Sequence, residues 1–434
     1  MANAAAASFS KNNDDEIRIM VNSIEKERVG VCSLLSVNSI FRVPPLIRKL
    51  RPEAYTPQLV SIGPLHYNEE HLQLMQSHKL RYLNHFLDRQ KGKKTLDDYV
   101  KAVSEVKEDA RKCYSETTGK GFQEDEFVKI MVIDGCFILE FLEINKRRER
   151  DDLVSNDLLY WEILQDLINL ENQLPFCVLK CLYDKTYEGL STPNTMSQEI
   201  YESLLRWFVE EFHGPAKFPS IQFPEGEPKH ILGLLQKVLI KSSTRSRKES
   251  KMELDRTSCA SKLKGAGVKF QKAETSLFDI NFDKGELTIP TIVIVDSTEH
   301  ILRNLIAFEH YQEETRFFSI YATFMDGLID THRDVELLEE EGIIENKLGN
   351  PEDVVTLFNN IVKHVVNNDT YFSGVIEDVE KYQKKLWNRW RESLIENYFN
   401  TPWALISFIA ALFLLIFTLG QTICSILQVV WTKP

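Results

Sequence analysis

Apolar residues recur at helical spacing over most of the chain. The stretch "HLQLMQSHKLRYLNHFLDRQ" (71–90) carries one apolar stripe, whereas "FVKIMVIDGCFILEFLEI" (127–144) is apolar nearly all round. Charges interrupt the second stretch too often for a membrane span, so we predict that it forms the central buried helix. The pattern therefore indicates a mainly helical chain.

One region follows a different pattern. Between residues 267 and 296 the chain has short strand-like runs, around 268–271, 277–282 and 286–295. Asp283, Lys284 and Gly285 supply a turn between the last two runs. We therefore predict an α+β fold class: a mainly α-helical domain with a small β region, followed by one C-terminal transmembrane helix.

Stretches rich in polar, proline or charged residues divide the rest of the chain into segments. Residues 1–28 are polar and Ala-rich and are expected to form a flexible N-terminal tail, and the helical domain is predicted to occupy 29–398. Residues 41–66, "FRVPPLIRKLRPEAYTPQLVSIGPLH", contain five prolines, which forbid a long helix. We call 41–66 the lead segment and expect it to wrap over a core. The basic, Ser-rich loop 241–251 is either a phosphorylated switch or a solvated connection.

The C-terminal stretch is long and free of charge. No charged residue lies between Glu396 and Lys433, and the segment 403–419 contains eleven Leu, Ile or Phe residues. These contribute about -3 to -7 kcal/mol to insertion into a bilayer, and about twenty helical residues span its ~30 Å hydrocarbon layer. We predict a membrane anchor at 399–424 and a short tail at 425–434. The anchor residues are Pro402, Trp403, Leu405, Ile406, Phe408, Leu412, Phe413, Leu414, Ile416, Phe417 and Leu419.

The residues that flank the anchor predict its orientation. Trp387, Trp390 and Tyr398 are available as interfacial aromatic residues. Five Lys or Arg residues lie in 381–391 before the anchor, whereas only Lys433 follows it, so the positive-inside rule predicts a cytosolic N-terminal domain. The N-terminus has no signal-peptide pattern. We expect a single-pass, tail-anchored protein of the plasma membrane or endoplasmic reticulum, with membrane lipid as a partner of the C-terminal helix.

The amino-acid composition limits the classes of partner and ligand that we expect the protein to bind. The net charge of -12 argues against a nucleic-acid binder, because phosphate contacts require an excess of Lys and Arg. The seven cysteines are odd in number and scattered, which favours a reducing compartment. Cys177 and Cys181 share a helical face, but no second Cys or His pair follows at zinc spacing. We therefore expect no metal and no cofactor.

A set of polar residues is embedded among leucines. Asp166, Glu171, Asn172 and Gln173 lie in "DLLYWEILQDLINLENQLPF", and Asp134 lies in the central apolar helix. Such groups either act as general acid and base or satisfy backbone groups at helix ends. No nucleophile motif, metal set or phosphate-binding loop accompanies them, so we predict no enzyme activity and no catalytic residue.

Several stretches of the sequence carry a common resemblance. They are "FRVP" (41–44), "YTPQLVSIGPLH" (55–66), "HKLRYLNHFL" (78–87), "MVIDGCFILEFL" (131–142), "INLENQLPFCVL" (168–179), "LRNLIAFEH" (302–310) and "WNRWRESLIENYFNTPW" (387–403). Together they resemble one plant family, that of domain of unknown function 247, and the resemblance runs in order from about Gly30 to the anchor. The resemblance implies a plant membrane protein without assigned catalytic residues, from a family of which some members are linked to reproductive self/non-self recognition.

Three functions are compatible with these observations. The leading hypothesis is a membrane-tethered module that acts through protein partners, whose identity the sequence leaves open, in signalling or in self/non-self recognition. The first alternative is a membrane-bound hydrolase that uses Asp134, Asp166 or Glu171. The second is an exported recognition ligand, for which the sequon at Asn368 would be open to glycosylation.

Overall fold

The computed structural model describes residues 20–21, 39–115, 122–188, 195–206, 208–209, 226–241, 257–312, 315–365, 371–385 and 402–431. Within these residues the chain is mainly helical with few strands, which confirms the predicted fold class. The helices are α1 Pro45–Arg48, α2 Leu74–Arg89, α3 Leu96–Cys113, α4 Glu124–Arg147, α5 Asp157–Leu167, α6 Phe176–Thr186, α7 Thr195–Ile200, α8 Ile231–Lys241, α9 Ala260–Gly265, α10 Asp296–Glu309, α11 Phe317–Leu328, α12 His332–Glu340, α13 Pro351–Ile361, α14 Ser373–Gln383 and α15 Pro402–Trp431.

The strands within the described residues form two small sheets. They are β1 Lys269–Ala273, β2 Asn281–Asp283, β3 Glu286–Pro290, β4 Ile292–Ile294 and β5 Ile344–Asn346. One sheet has the order β1-β3-β2, with β1 parallel and β2 antiparallel to β3. The other pairs β4 with β5 in parallel.

By contacts between residues the chain divides into two units. The first comprises Met1–Thr244, Val295–Ser319 and Asn360–Val366, and the second Arg245–Ile294, Ile320–Asn359 and Asn367–Pro434. The loop 241–251 and the tail 1–28 lie almost wholly outside the described residues.

Helix α4 is the centre of the first unit, as predicted. Fifteen of its residues are buried, and it packs against α2, α3 and α6. Gly135 marks a close approach: a methyl group at this position would overlap the side chain of Leu182 on α6. Burial on nearly all sides explains why the sequence of this helix is apolar nearly all round.

The second unit contains the β region. The predicted turn at Asp283–Gly285 is confirmed, because Lys284 and Gly285 both have positive φ and join β2 to β3. The predicted strand at 277–282 was largely wrong: Leu277 and Phe278 lie in a turn, where their buried side chains join the core. Strand β5, far along the chain, was missed.

Helix α15 differs from the other helices in its exposure. It contains a 20-residue stretch, Ile406–Ser425, that is long and apolar enough to cross a membrane. No part of that stretch is buried within the protein. The exposed side chains of Leu414 and Phe417 reach 68% and 70% of their full accessible area.

Candidate functional site

The lead segment is held by buried polar side chains of the first unit. It runs as short helical turns and extended backbone, because its prolines prevent continuous internal hydrogen bonding. Its free backbone amides therefore need partners from elsewhere in the chain. Four of the embedded polar residues predicted from the sequence supply them, and all four are buried: Asp134, Asp166, Glu171 and Asn172. The fifth, Gln173, is also buried but binds elsewhere.

Glu171 holds the beginning of the lead segment. Its carboxylate accepts the Val43 amide at 2.8 Å and an Arg48 guanidinium N–H at 2.5 Å. His66, also fully buried, lies 3.1 Å from the second oxygen. Burial opposes ionisation of Glu171, but the bonds to His66, Arg48 and Val43 together hold its pKa below the ordinary value. The two ends of the lead segment thus meet on one carboxylate.

Asp166 holds the middle of the segment. Its two oxygens accept the backbone amides of Gln58, Leu59 and Val60, each at 2.8 Å. Burial raises the pKa of Asp166 to about 7, and the three amide donors act in the opposite direction. Both oxygens of this carboxyl group are occupied by these three backbone amides, for which the described residues provide no other hydrogen-bond acceptor.

The two neutral amides differ in what they bind: Asn172 binds the lead segment, whereas Gln173 binds backbone groups around the end of α5. Asn172 accepts the Ile62 amide at 2.6 Å and donates to the Val60 carbonyl at 2.9 Å. Gln173 donates to the carbonyls of Leu167 and Asn169, just beyond the end of α5. The expectation that these residues satisfy backbone groups at a helix end is confirmed for both, because Asn172 also donates to the Asp166 carbonyl of α5 at 2.9 Å.

A buried ion pair fixes the end of the segment. Lys79 of α2 donates to Asp134 of α4 at 2.6 Å and also to the Ser61 carbonyl. The second oxygen of Asp134 accepts the Gly63 amide at 2.8 Å. Both side chains are buried, at 0% and 1% exposure. Gly63 has a φ of +73°, which favours glycine at this turn.

Asp166 also borders a cleft of about 220 Å³ in the first unit. Other acidic groups line it, among them Glu162 and Glu299, and Arg51 forms an ion pair with Glu299 at 2.7 Å. A carboxyl group beside an open cleft could exchange protons with a bound molecule. Asp134 and Glu171 do not line this cleft.

The described part of the chain contains no group of three or more His, Cys, Asp or Glu side chains that could hold a metal ion. Cys177 and Cys181 lie on α6, as the spacing predicted, and both are partly exposed.

The predicted anchor residues all lie on α15, which begins at Pro402. From Ile406 to Leu419 their side chains are exposed. The helix extends to Trp431, seven residues beyond the predicted end of the anchor. Trp387, Trp390 and Tyr398 lie outside the described residues.

Sequence reasoning missed the cationic partners of the buried carboxylates. Lys79 occurs four residues after Met75 and three before Tyr82, and all three side chains are buried on α2. A lysine at an inward position of an apolar stripe is the signal that could have been found. His66 and Arg48 carried no such signal, because the lead segment has no helical or strand periodicity.

The similarity to known proteins covers most of the chain. A family model described as "Plant protein of unknown function", DUF247, matches residues 40–417. The Arabidopsis thaliana UPF0481 protein At3g47200 is 32% identical over 420 residues, covering 90% of this chain and 86% of the relative. The putative UPF0481 protein At3g02645 of the same plant is 25% identical over 473 residues, covering 87% and 88%. No solved structure matches. The family match reaches from the lead segment into helix α15, and the chain therefore belongs to the plant DUF247 family.

Proposed function

We propose that this protein is a membrane-tethered recognition module, in which the helical domain is anchored by α15 and acts through protein partners. The observation that carries the proposal is the 20-residue, charge-free and unburied stretch Ile406–Ser425. Burying such a surface in lipid removes it from water, whereas exposure of so many apolar side chains would favour aggregation. Tethering would raise the effective concentration of the domain towards other membrane proteins.

The polar groups of the first unit support an interaction role over a catalytic one. The carboxylates of Asp134, Asp166 and Glu171 accept hydrogen bonds from the lead segment on both oxygens or are paired with cations. Their side chains thus have a folding task. The DUF247 relatives carry no assigned chemistry in their names. The role that we propose for this chain is in signalling or in the reproductive self/non-self recognition that the resemblance implies.

The first experiment tests the anchor with the full chain. Expressed in cells, the protein should pellet with membranes and resist extraction by alkaline carbonate. The double variant Leu412→Arg/Leu415→Arg adds about 6 to 8 kcal/mol to the insertion free energy, which cancels the favourable contribution of the apolar residues. This variant should become extractable. The control Leu74→Arg changes a side chain of α2 that is 82% exposed and should remain in the membrane fraction. Extraction of the unaltered protein would refute the anchor.

Protease protection on sealed vesicles tests the orientation. We propose a cytosolic domain on the basis of the five basic residues in 381–391. Digestion without detergent would support this orientation. Protection until detergent is added, together with glycosylation at Asn368, would instead support the exported recognition ligand.

The hydrolase remains the rival function, and the cleft favours Asp166 as its candidate acid or base. Asp166→Asn retains one acceptor oxygen for the lead segment. If the rival holds, this variant loses activity on a substrate while keeping its unfolding transition. If Asp166 only holds the lead segment, the variant unfolds at lower urea concentration.

A further inference from the structure

The cleft beside Asp166 adjoins a helix face that carries both polar and apolar side chains. All ten residues that line the cleft belong to the first unit. Helix α5 contributes Glu162 and Gln165 to the lining. Leu158 and Trp161 lie on the same face of α5, because each precedes one of those two residues by four positions. These two apolar residues therefore extend the cleft by about one helical turn towards the start of α5.

The lining of the cleft carries an excess of negative charge. Its acidic residues are Glu53, Glu162, Asp166, Asp296 and Glu299. Burial lowers the pKa of His300 to about 4, so this side chain is neutral at pH 7. Arg51 is thus the one cation among the lining residues, and it forms an ion pair with Glu299 at 2.7 Å. The cleft therefore attracts positively charged groups.

Two carboxylates of the lining lack a cation. Glu299 is paired with Arg303 at 2.8 Å as well as with Arg51. Glu162 and Asp296, by contrast, form no ion pair within the described part of the chain. A cation that entered the cleft would meet both of these carboxylates. The charge of the cleft is therefore available to a partner and is not consumed within the fold.

Leu158 and Trp161 supply an apolar surface next to this charge. The side chain of Leu158 is 68% exposed. The ring of Trp161 contacts Tyr160 edge to face, with 5.1 Å between the ring centroids, and Tyr160 in turn stacks on Phe141. The indole is thus held before a partner binds, which reduces the conformational entropy that binding costs. Tryptophan is also enriched among the residues that contribute most to the affinity of protein interfaces.

We propose that the cleft and the Leu158/Trp161 face together dock a segment of a protein partner in which basic residues lie next to apolar ones. A Lys or Arg side chain of the partner enters the cleft of about 220 Å³ and pairs with Glu162 and Asp296. Its apolar neighbours cover Leu158 and Trp161. This inference rests on the proposed function, because it gives the chemistry of the partner through which the module acts. Opposite charges would also steer the two proteins together.

The experiment measures the binding of labelled peptides to the full chain in non-ionic detergent by fluorescence anisotropy. The probe is the peptide Leu-Arg-Arg-Leu, and Leu-Glu-Glu-Leu with the same fluorophore is the comparison. The basic peptide should bind more tightly, and added salt should weaken its binding. Because detergent replaces the bilayer, the result is independent of whether α15 spans a membrane. Failure here would remove the docking surface and leave the carbonate extraction experiment unaffected.

Matched variants locate the docking surface. Glu162→Gln/Asp296→Asn should weaken binding of the basic peptide by about tenfold, and Leu158→Ser should weaken it by about fivefold. The controls Glu105→Gln and Leu96→Ser alter exposed residues of α3 that do not line the cleft, and both should bind as the unaltered chain does. Asp296 is the first residue of α10. If circular dichroism shows that the double variant unfolds, Glu162→Gln alone provides the test, with a loss of about threefold.

Three results would overturn the proposal. In the first, the basic peptide binds the unaltered chain no more tightly than the acidic peptide. In the second, the controls on α3 weaken binding as much as the variants of the cleft. In the third, spermidine binds as tightly as the basic peptide and Leu158→Ser has no effect, which would identify a site for small organic cations instead of a protein docking surface.

Discussion

The buried pair of Lys79 and Asp134 permits a quantitative test of how the lead segment is held. Removing one partner leaves the other charge buried without compensation, which typically costs 3–5 kcal/mol. We therefore expect Lys79→Met and Asp134→Leu each to destabilise the protein by about 3–5 kcal/mol. Domains are stable by only about 5–15 kcal/mol, so either variant should unfold at a clearly lower urea concentration.

The double variant should lose much less than the sum of the single variants. It buries no charge, and replacement of a buried ion pair by apolar groups can restore about 1–4 kcal/mol. It still deprives the Gly63 amide and the Ser61 carbonyl of side-chain partners, at about 1–3 kcal/mol each. The expected loss is thus roughly that of one single variant, and the coupling energy of the cycle should be at least about 2 kcal/mol.

The assay is urea unfolding of the full chain in detergent, followed by far-ultraviolet circular dichroism. The matched control is the ion pair of Lys101 and Asp97 on α3, whose side chains are 71% and 69% exposed. Its double variant should unfold at the same urea concentration as the unaltered protein, because exposed pairs are screened by water. Additive losses in the Lys79 and Asp134 cycle, or single variants that match the control, would refute the reasoning.

Three further predictions concern the same unit. Gly63→Ala should lower the free energy of unfolding in urea by about 2–5 kcal/mol, because the residue has positive φ and an added methyl group would lie 2.7 Å from the Tyr114 hydroxyl. The control Gly92→Ala also has positive φ but meets open space, so it should lower the free energy of unfolding by about 1 kcal/mol. Burial lowers the pKa of His230 to about 3, so below about pH 6.5 the unfolded chain binds a proton that the native chain excludes. The free energy of unfolding should therefore fall as the pH drops from about 6.5 to about 3. His230→Asn should reduce the slope of the free energy of unfolding against pH in this range by one proton, and an unchanged slope would contradict the assignment. Glu171→Gln should speed hydrogen exchange at the Val43 amide, and unaltered exchange would show that Glu171 does not hold the lead segment. Because the pKa of Glu171 is lowered in the native state, the unaltered chain should lose stability as the pH falls below about 4.3, and this variant should abolish that loss.

Part of this architecture is written in local sequence patterns. Helix α4 was predictable because an all-round apolar stretch of its length must be buried. The turn at Lys284 and Gly285 was predictable because Asp283 and Gly285 are turn-forming residue types that lie between two strand-like runs. The burial of Asp166 and Glu171 was predictable because the leucines that surround them in sequence are usually buried. Their need for hydrogen-bonding partners was predictable as well, because a buried charge without a partner is costly.

The partners of these groups could not be predicted in the same way. Glu171 binds Val43 and Arg48, which are 128 and 123 residues away in the chain. No local pattern specifies such a pairing, because the lead segment has neither helical nor strand periodicity. Strand β5 was missed for a related reason: it has three residues and gains its hydrogen bonds only by pairing with β4.

Four of the stretches that carry the family resemblance have a common physical role. "VSIGPLH" supplies the amides of Ile62 and Gly63, "HKLRYL" supplies Lys79, "MVIDG" supplies Asp134, and "INLENQLP" supplies Glu171 and its neighbours. These stretches meet in space, where their polar side chains hold one proline-rich segment against a helical core. These residues of the four stretches therefore report on how the domain folds. Side chains that select a partner need exposure, which these buried groups lack, so variants that alter recognition without altering stability should map to exposed positions outside these stretches.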